Sequence, residues 1–92
     1  GNDMLMYHDG SQTVYQNKTG NFYITQAADD LDIIFQCDDG SGGTTPYIQL
    51  DGSDLSTKIL TQKLIISNLP TSDPGVDGQV WNNSGVLNIS SG

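Results

Sequence analysis

The chain has 92 residues, 35% of them hydrophobic, and its eleven acids against three bases give a net charge of −8. Every acid is Asp and every base is Lys; with no Glu, no Arg and only two Ala, the strongest helix formers are nearly absent. These figures exclude a helical domain. They also disfavour a nucleic-acid binder, because an acidic chain without Arg repels phosphates and has no guanidinium to read bases.

No stretch approaches the roughly 20 apolar residues of a membrane span, so no membrane insertion is expected. The opening Gly1-Asn2-Asp3 is neither a start Met nor a signal peptide, so the chain is expected to begin inside a longer polypeptide or after processing. One cysteine, Cys37, excludes an intrachain disulfide framework and a Cys-based zinc site.

Eleven glycines and four Asp-Gly pairs punctuate the chain into short runs. Met4 to Tyr7 reads as a first strand, turning at His8 to Ser11 into a second over Thr13 to Gln16. A third is expected over Asn21 to Thr25, with Phe22 and Ile24 on one face. In the fourth, Leu31, Ile33, Phe35 and Cys37 share a face and Ile34 is the lone apolar residue on the other. A loop from Asp38 to Pro46 leads into Tyr47 to Leu50. Ser53 to Gln62 is the weakest stretch, with a capped helical turn over Asp54 to Lys58 as its only helical candidate. Lys63 to Asn68 reads as a strand centred on Ile65 and Ile66. Gln79 to Asn82 and Val86 to Ile89 form a closing hairpin over Asn83-Ser84-Gly85.

The expected fold is therefore all-β, with short hairpin-linked strands. It would be either an intertwined trimeric fibre or spike, or a small sandwich-like domain. Residues 1–52 would form a hairpin-rich region and 53–92 a linker strand and terminal hairpin. The tripeptide Asp-Gly-Ser occurs at 9–11, 39–41 and 51–53, at intervals too uneven for a solenoid, and implies repeated hairpin chemistry. A chain this short hides only about 60–70% of its unfolded surface. Without disulfide or metal, and with unguarded sheet edges, it is expected to associate with itself as a homotrimer. The expected interface is Leu31, Ile33, Phe35 and Cys37, or the face of Ile48 and Leu50.

The phrase Asp3-Met4-Leu5-Met6-Tyr7-His8-Asp9-Gly10-Ser11, with Tyr15, Asn17, Thr19-Gly20-Asn21 and Tyr23-Ile24 behind it, resembles a repeat of bacteriophage tail-fibre and other virion structural proteins. Marine and cyanobacterial phages are its usual setting, in the form LxIYHDGSxSYIxNxTGxLYI. Ala28 to Gly43 with Tyr47 to Gly52 is similar to the phrase that follows it there. Asn68 to Gly75 with Gln79 to Leu87 resembles the carboxyl-terminal ending of such proteins. Asp54 to Ser67 matches least, and Thr13-Val14-Tyr15 stands where Ser-Tyr-Ile is common. The resemblance implies a homotrimeric structural component of the virion, on the particle surface or tail, with a mechanical and host-adhesion role. Its partners would be its own copies, other virion proteins and a host cell-surface glycan. A capsid decoration or head-fibre protein is the alternative position. A carbohydrate-binding adhesin, with Trp81, Tyr7, Tyr15, Tyr23 and Tyr47 as stacking surface, is the alternative class.

No chemistry is expected. His8 and Asp9, the one acid/base pair, are adjacent and point apart on a strand, so they read as turn residues. The remaining Asp residues sit in turns, where carboxylates cap backbone amides. Asp38 to Gly43 lacks the spaced ligands of a calcium loop and reads as a plain hairpin tip. Cys37 reads as a small buried apolar residue and Trp81 as the anchor of the terminal hairpin. No catalytic residue, metal or cofactor is assigned.

Overall fold

A computed structural model describes residues 3–92, so Gly1 and Asn2 of the opening lie outside the described residues. The fold is all-β: seven strands and, among the described residues, no helix. The strands are β1 (Met4–His8), β2 (Thr13–Asn17), β3 (Ile33–Asp38), β4 (Thr44–Asp51), β5 (Ser56–Ile59), β6 (Val80–Asn83) and β7 (Val86–Ile89). All pairing is antiparallel and between chain neighbours: β1-β2, β3-β4-β5 and β6-β7 form three separate sheets.

The three Asp-Gly-Ser tripeptides turn the first three hairpins by one device. In each, the Asp Oδ1 accepts the amide of the Ser two residues on: Ser11 to Asp9 at 3.0 Å, Ser41 to Asp39 at 2.7 Å and Ser53 to Asp51 at 3.0 Å. These are Asx turns, in which the side chain replaces a backbone acceptor. The fourth hairpin uses Ser84 and Gly85, both at positive φ (52° and 91°), which matches the right-handed twist of the flanking strands.

Pro46 sits inside β4, the central strand of its sheet. It is tolerated because the register slips there: Phe35 opposes Ile48 but Gln36 opposes Pro46, leaving Tyr47 unmatched. β5 begins pairing β4 only at Ile48, so no ladder bond is asked of Pro46.

Three sequence expectations are corrected. Asn21 to Thr25 and Lys63 to Asn68 are not strands; 21–25 and 63–66 run without secondary structure, Ser67 and Asn68 form a turn, and neither segment makes a backbone–backbone hydrogen bond among the described residues. The helical turn over Asp54 to Lys58 is absent, because Ser56 to Lys58 join β5. The chain falls into two compact units that divide at Leu60/Thr61, with β5, paired to β4, in the first.

The feature that governs the rest is the core. Among the described residues no hydrophobic residue is buried, and the one buried residue is Ser90, 2% exposed, whose Oγ donates to Asp73 Oδ1 at 2.6 Å. The total accessible surface is 7637 Å². A folded monomer of this mass exposes about 5,200 Å², and two separate globules of the sizes of the two units about 6,200 Å².

Inside the first unit, Asp32 ties strand to turn. Its Oδ2 accepts from Gln49 Nε2 at 2.7 Å and its Oδ1 from the Gly52 amide at 2.9 Å. Gly52 is required here for space, as a Cβ would collide with the Leu31 carbonyl oxygen. Gly52→Ala is expected to lower stability by about 1–3 kcal/mol through overpacking. Asp32→Ala should cost about 1–2 kcal/mol through two orphaned donors. Urea unfolding followed by far-ultraviolet circular dichroism checks both, and a spectrum dominated by helix would contradict the fold.

Candidate functional site

The register divides the β3-β4-β5 sheet into two chemically distinct faces. Ile33, Leu50 and Thr57 stand in one cross-strand row, and Phe35, Ile48 and Ile59 in the next row on the same side. Period-2 alternation therefore gathers five apolar side chains on this face. The opposite face carries Ile34, Gln49, Asp51, Ser56 and Lys58.

The polar face satisfies itself. Lys58 Nζ donates to Asp51 Oδ2 at 2.8 Å and lies 3.9 Å from Asp54 Oδ2. The Lys58 ammonium, and then the hydroxyl and amide of Ser53, hold the Asp51 carboxyl well below the ordinary carboxylate range. The same bond raises Lys58.

The apolar face has nothing over it. Phe35 is 47% exposed, and Ile48, Leu50 and Ile59 are comparably open. At its Leu50 end, Gln26, Leu31, Ile33, Leu50, Leu55 and Thr57 help line an open groove of about 330 Å³. Leu55 holds φ at 59° and is 94% exposed. A left-handed conformation costs an L-residue with a large side chain about 1–2 kcal/mol, and exposure returns nothing for it within the single chain.

The expected interface residues thus fall on one surface. Leu31, Ile33, Phe35, Ile48 and Leu50 belong to the same apolar side, so the two alternatives of the sequence reading merge: Phe35 and Ile48 are direct cross-strand partners. Cys37, expected to be buried, is exposed in this chain, because it lies beyond the register slip near the open hairpin tip. Ile59 and Leu55 were missed. Ile59 was legible as alternation with Thr57, but Leu55 gave no periodic signal.

The aromatic residues proposed as a stacking surface are placed differently within their own units. Tyr7 pairs with Val14 and Tyr15 with Met6 in successive register positions, which places the two tyrosines on opposite faces of β1-β2. Tyr23 is 80% exposed, while the Tyr47 hydroxyl donates to the Asp38 carbonyl at 2.9 Å. Trp81 is half-buried in β6, opposite Asn88 of β7. The Trp81 Nε1 and Asn88 Oδ1 are buried without partners.

His8 and Asp9 are engaged separately. His8 Nδ1 lies 3.1 Å from Thr13 Oγ1, while Asp9 Oδ1 accepts the amides of Ser11 and Gln12. In the Asp38 to Gly43 tip, Asp39 Oδ1 accepts the amides of Ser41 and Gly43. Among the described residues, no three His, Cys, Asp or Glu side chains gather as a metal-ligand set. No helix is long and apolar enough to cross a membrane.

Comparison with known proteins adds no relative: no family model, no curated protein and no solved structure matches the chain.

The turn carboxylates set a pH dependence. Amides of Gln12 and Ser11 lower Asp9, those of Ser41 and Gly43 lower Asp39, and the Ser90 hydroxyl with the Gly75 amide lowers Asp73. A carboxyl depressed in the fold contributes stability above its unfolded value and loses it as the pH falls through the folded one. Stability is therefore expected to decline below about pH 4. Asp39→Asn keeps an acceptor oxygen for the turn but not the charge, so it should lower stability modestly at neutral pH and flatten that acid limb. Denaturant midpoints measured between neutral and acid pH test this; an unchanged slope would contradict it.

Proposed function

We propose that this chain is a structural domain of a phage virion, a β-rich fibre or spike segment that works as a homotrimer. Its role is mechanical and adhesive. Copies stiffen one another by covering their apolar faces, and the exposed loops meet the host surface.

One observation carries the self-assembling part: seven strands that, among the described residues, bury no hydrophobic side chain. Even against two separate globules, its 7637 Å² is an excess of about 1,400 Å². A standard specific interface takes about 800 Å² from each partner. The Ile33, Phe35, Ile48, Leu50 and Ile59 face is the natural place for that contact, and Leu55 at its rim gains burial there. The virion part rests on the resemblance carried by the Tyr7 to Ser11 phrase and the blocks after it.

An enzyme reading has less support, because the one acid/base pair is spent on a cross-strand contact and a turn. A glycan-stacking reading centred on Trp81 is weakened by the half-burial of its ring.

Two experiments test the proposal. Phe35→Asp should convert the trimer to monomer, since each lost apolar contact is worth about 1.5–3 kcal/mol and recurs in every subunit. Because Phe35 is already half exposed, the strand content of the variant should persist. Cys37 gives a second readout: its thiol should react slowly in the assembled chain and freely in Phe35→Asp. A variant that stays trimeric with a shielded thiol overturns this interface. For the virion role, gold-labelled antibody against the chain should decorate the tail fibres of phage particles that encode it. Label on the capsid alone would favour the decoration reading, and unlabelled particles would refute a virion component.

A further inference from the structure

The second unit holds an unpaired segment and an unpaired edge that fit each other. Leu64-Ile65-Ile66 has strand composition, and no Gly or Pro interrupts it. It runs without secondary structure, and no backbone N–H or C=O of these three residues finds a partner among the described residues. Leu64 and Ile66 line an open groove of about 330 Å³ with Leu69, Asn82, Gly85 and Leu87, while Ile65 stands 75% exposed.

The edge is that of β7. Asn82 donates its amide to the Pro70 carbonyl at 2.8 Å, so its backbone groups point away from β7. Leu87 is the register partner of Asn82. In an antiparallel pair, opposite residues share this sense, so the N–H and C=O of Leu87 point away from β6. Those of Ile89, two residues on, do the same, and none of the four groups has a backbone partner among the described residues. The side chains along this edge, Val86, Leu87 and Ile89, are all exposed. β6-β7 is also only a two-stranded sheet, a form of marginal stability in water that a third strand would complete.

We infer that Leu64–Ile66 of one copy adds as a third strand to the β7 edge, at Leu87 and Ile89, of a second copy of this chain. The inference rests on the self-assembling reading above and gives it a second contact, made by backbone pairing instead of side-chain burial. A second copy is the occupant because the excess exposed area already calls for one. The chain also carries both halves of the joint, unguarded by Lys or Pro at the points of contact. Donor segment and acceptor edge are different surfaces, so the contact is head-to-tail. Such contacts close into a ring when the rotation between copies permits, and a threefold ring matches the trimer.

The test is residue-resolved amide hydrogen exchange on the full chain, after its mass has been measured in the same buffer. A trimer should show the amides of Leu87 and Ile89, and those within Leu64–Ile66 that face the edge, exchanging roughly a hundredfold more slowly than in Phe35→Asp monomer. Consecutive amides of a strand point to opposite sides, so one of Ile65→Pro and Ile66→Pro should weaken association about tenfold. Ile65→Thr and Ile66→Thr, which keep the amide, should not. Trp81 fluorescence reports whether the unit remains folded in each variant. A trimer whose Leu64–Ile66 amides exchange freely, and which tolerates both prolines, overturns this contact and leaves the trimer reading standing. A monomer at every concentration overturns both.

Discussion

Every level of this structure answers to one constraint: the chain's sheets are too narrow to cover their own apolar side chains. Sheets of two and three strands present a hydrophobic face each, and a stable domain needs a second layer against that face. Here the second layer is missing within the chain. The β3-β4-β5 sheet shows the consequence most plainly, with a self-satisfied polar face held by Asp32, Gln49, Asp51 and Lys58 and an opposite face exposed at Phe35, Ile48, Leu50 and Ile59.

With little hydrophobic burial to hold it, the conformation is organised locally. All strand pairs are between neighbours in sequence, and each of the first three hairpins is turned by the same Asp-Gly-Ser unit. The aspartates thus do two things. Their carboxylates fix the turns, and their charge, −8 per chain, favours keeping a chain with an open apolar surface in solution. The same charge opposes bringing three chains together, and added salt relieves that opposition. In the proposed trimer the apolar contact would have to outweigh that repulsion.

Much of the fold was legible in the residues. The hairpins over Asp9, Asp39 and Ser84 follow from turn chemistry, and the shared face of Ile33 and Phe35 follows from period-2 alternation. Two segments misled for an instructive reason. Asn21 to Thr25 and Lys63 to Asn68 have the composition of strands, but a strand exists only when it pairs with an edge, and among the described residues neither segment is paired with one. Composition reports what a segment can do; pairing depends on the partner. β5 was obscured in the opposite sense, because Ser56, Thr57 and Lys58 are weak strand formers held in place by β4. Cys37 read as buried from its type alone, whereas its position beyond the slip at Phe35/Gln36 leaves it open. The merging of the Phe35 and Ile48 faces required the register itself, which no local pattern encodes.

Self-association is the claim on which the functional reading depends, and the mass of the wild-type chain in solution addresses it without any substitution. Sedimentation equilibrium over a wide concentration range should find a species near 30 kDa, three times the 9.9 kDa chain, persisting at micromolar concentration. A folded species of 9.9 kDa throughout that range would contradict the account.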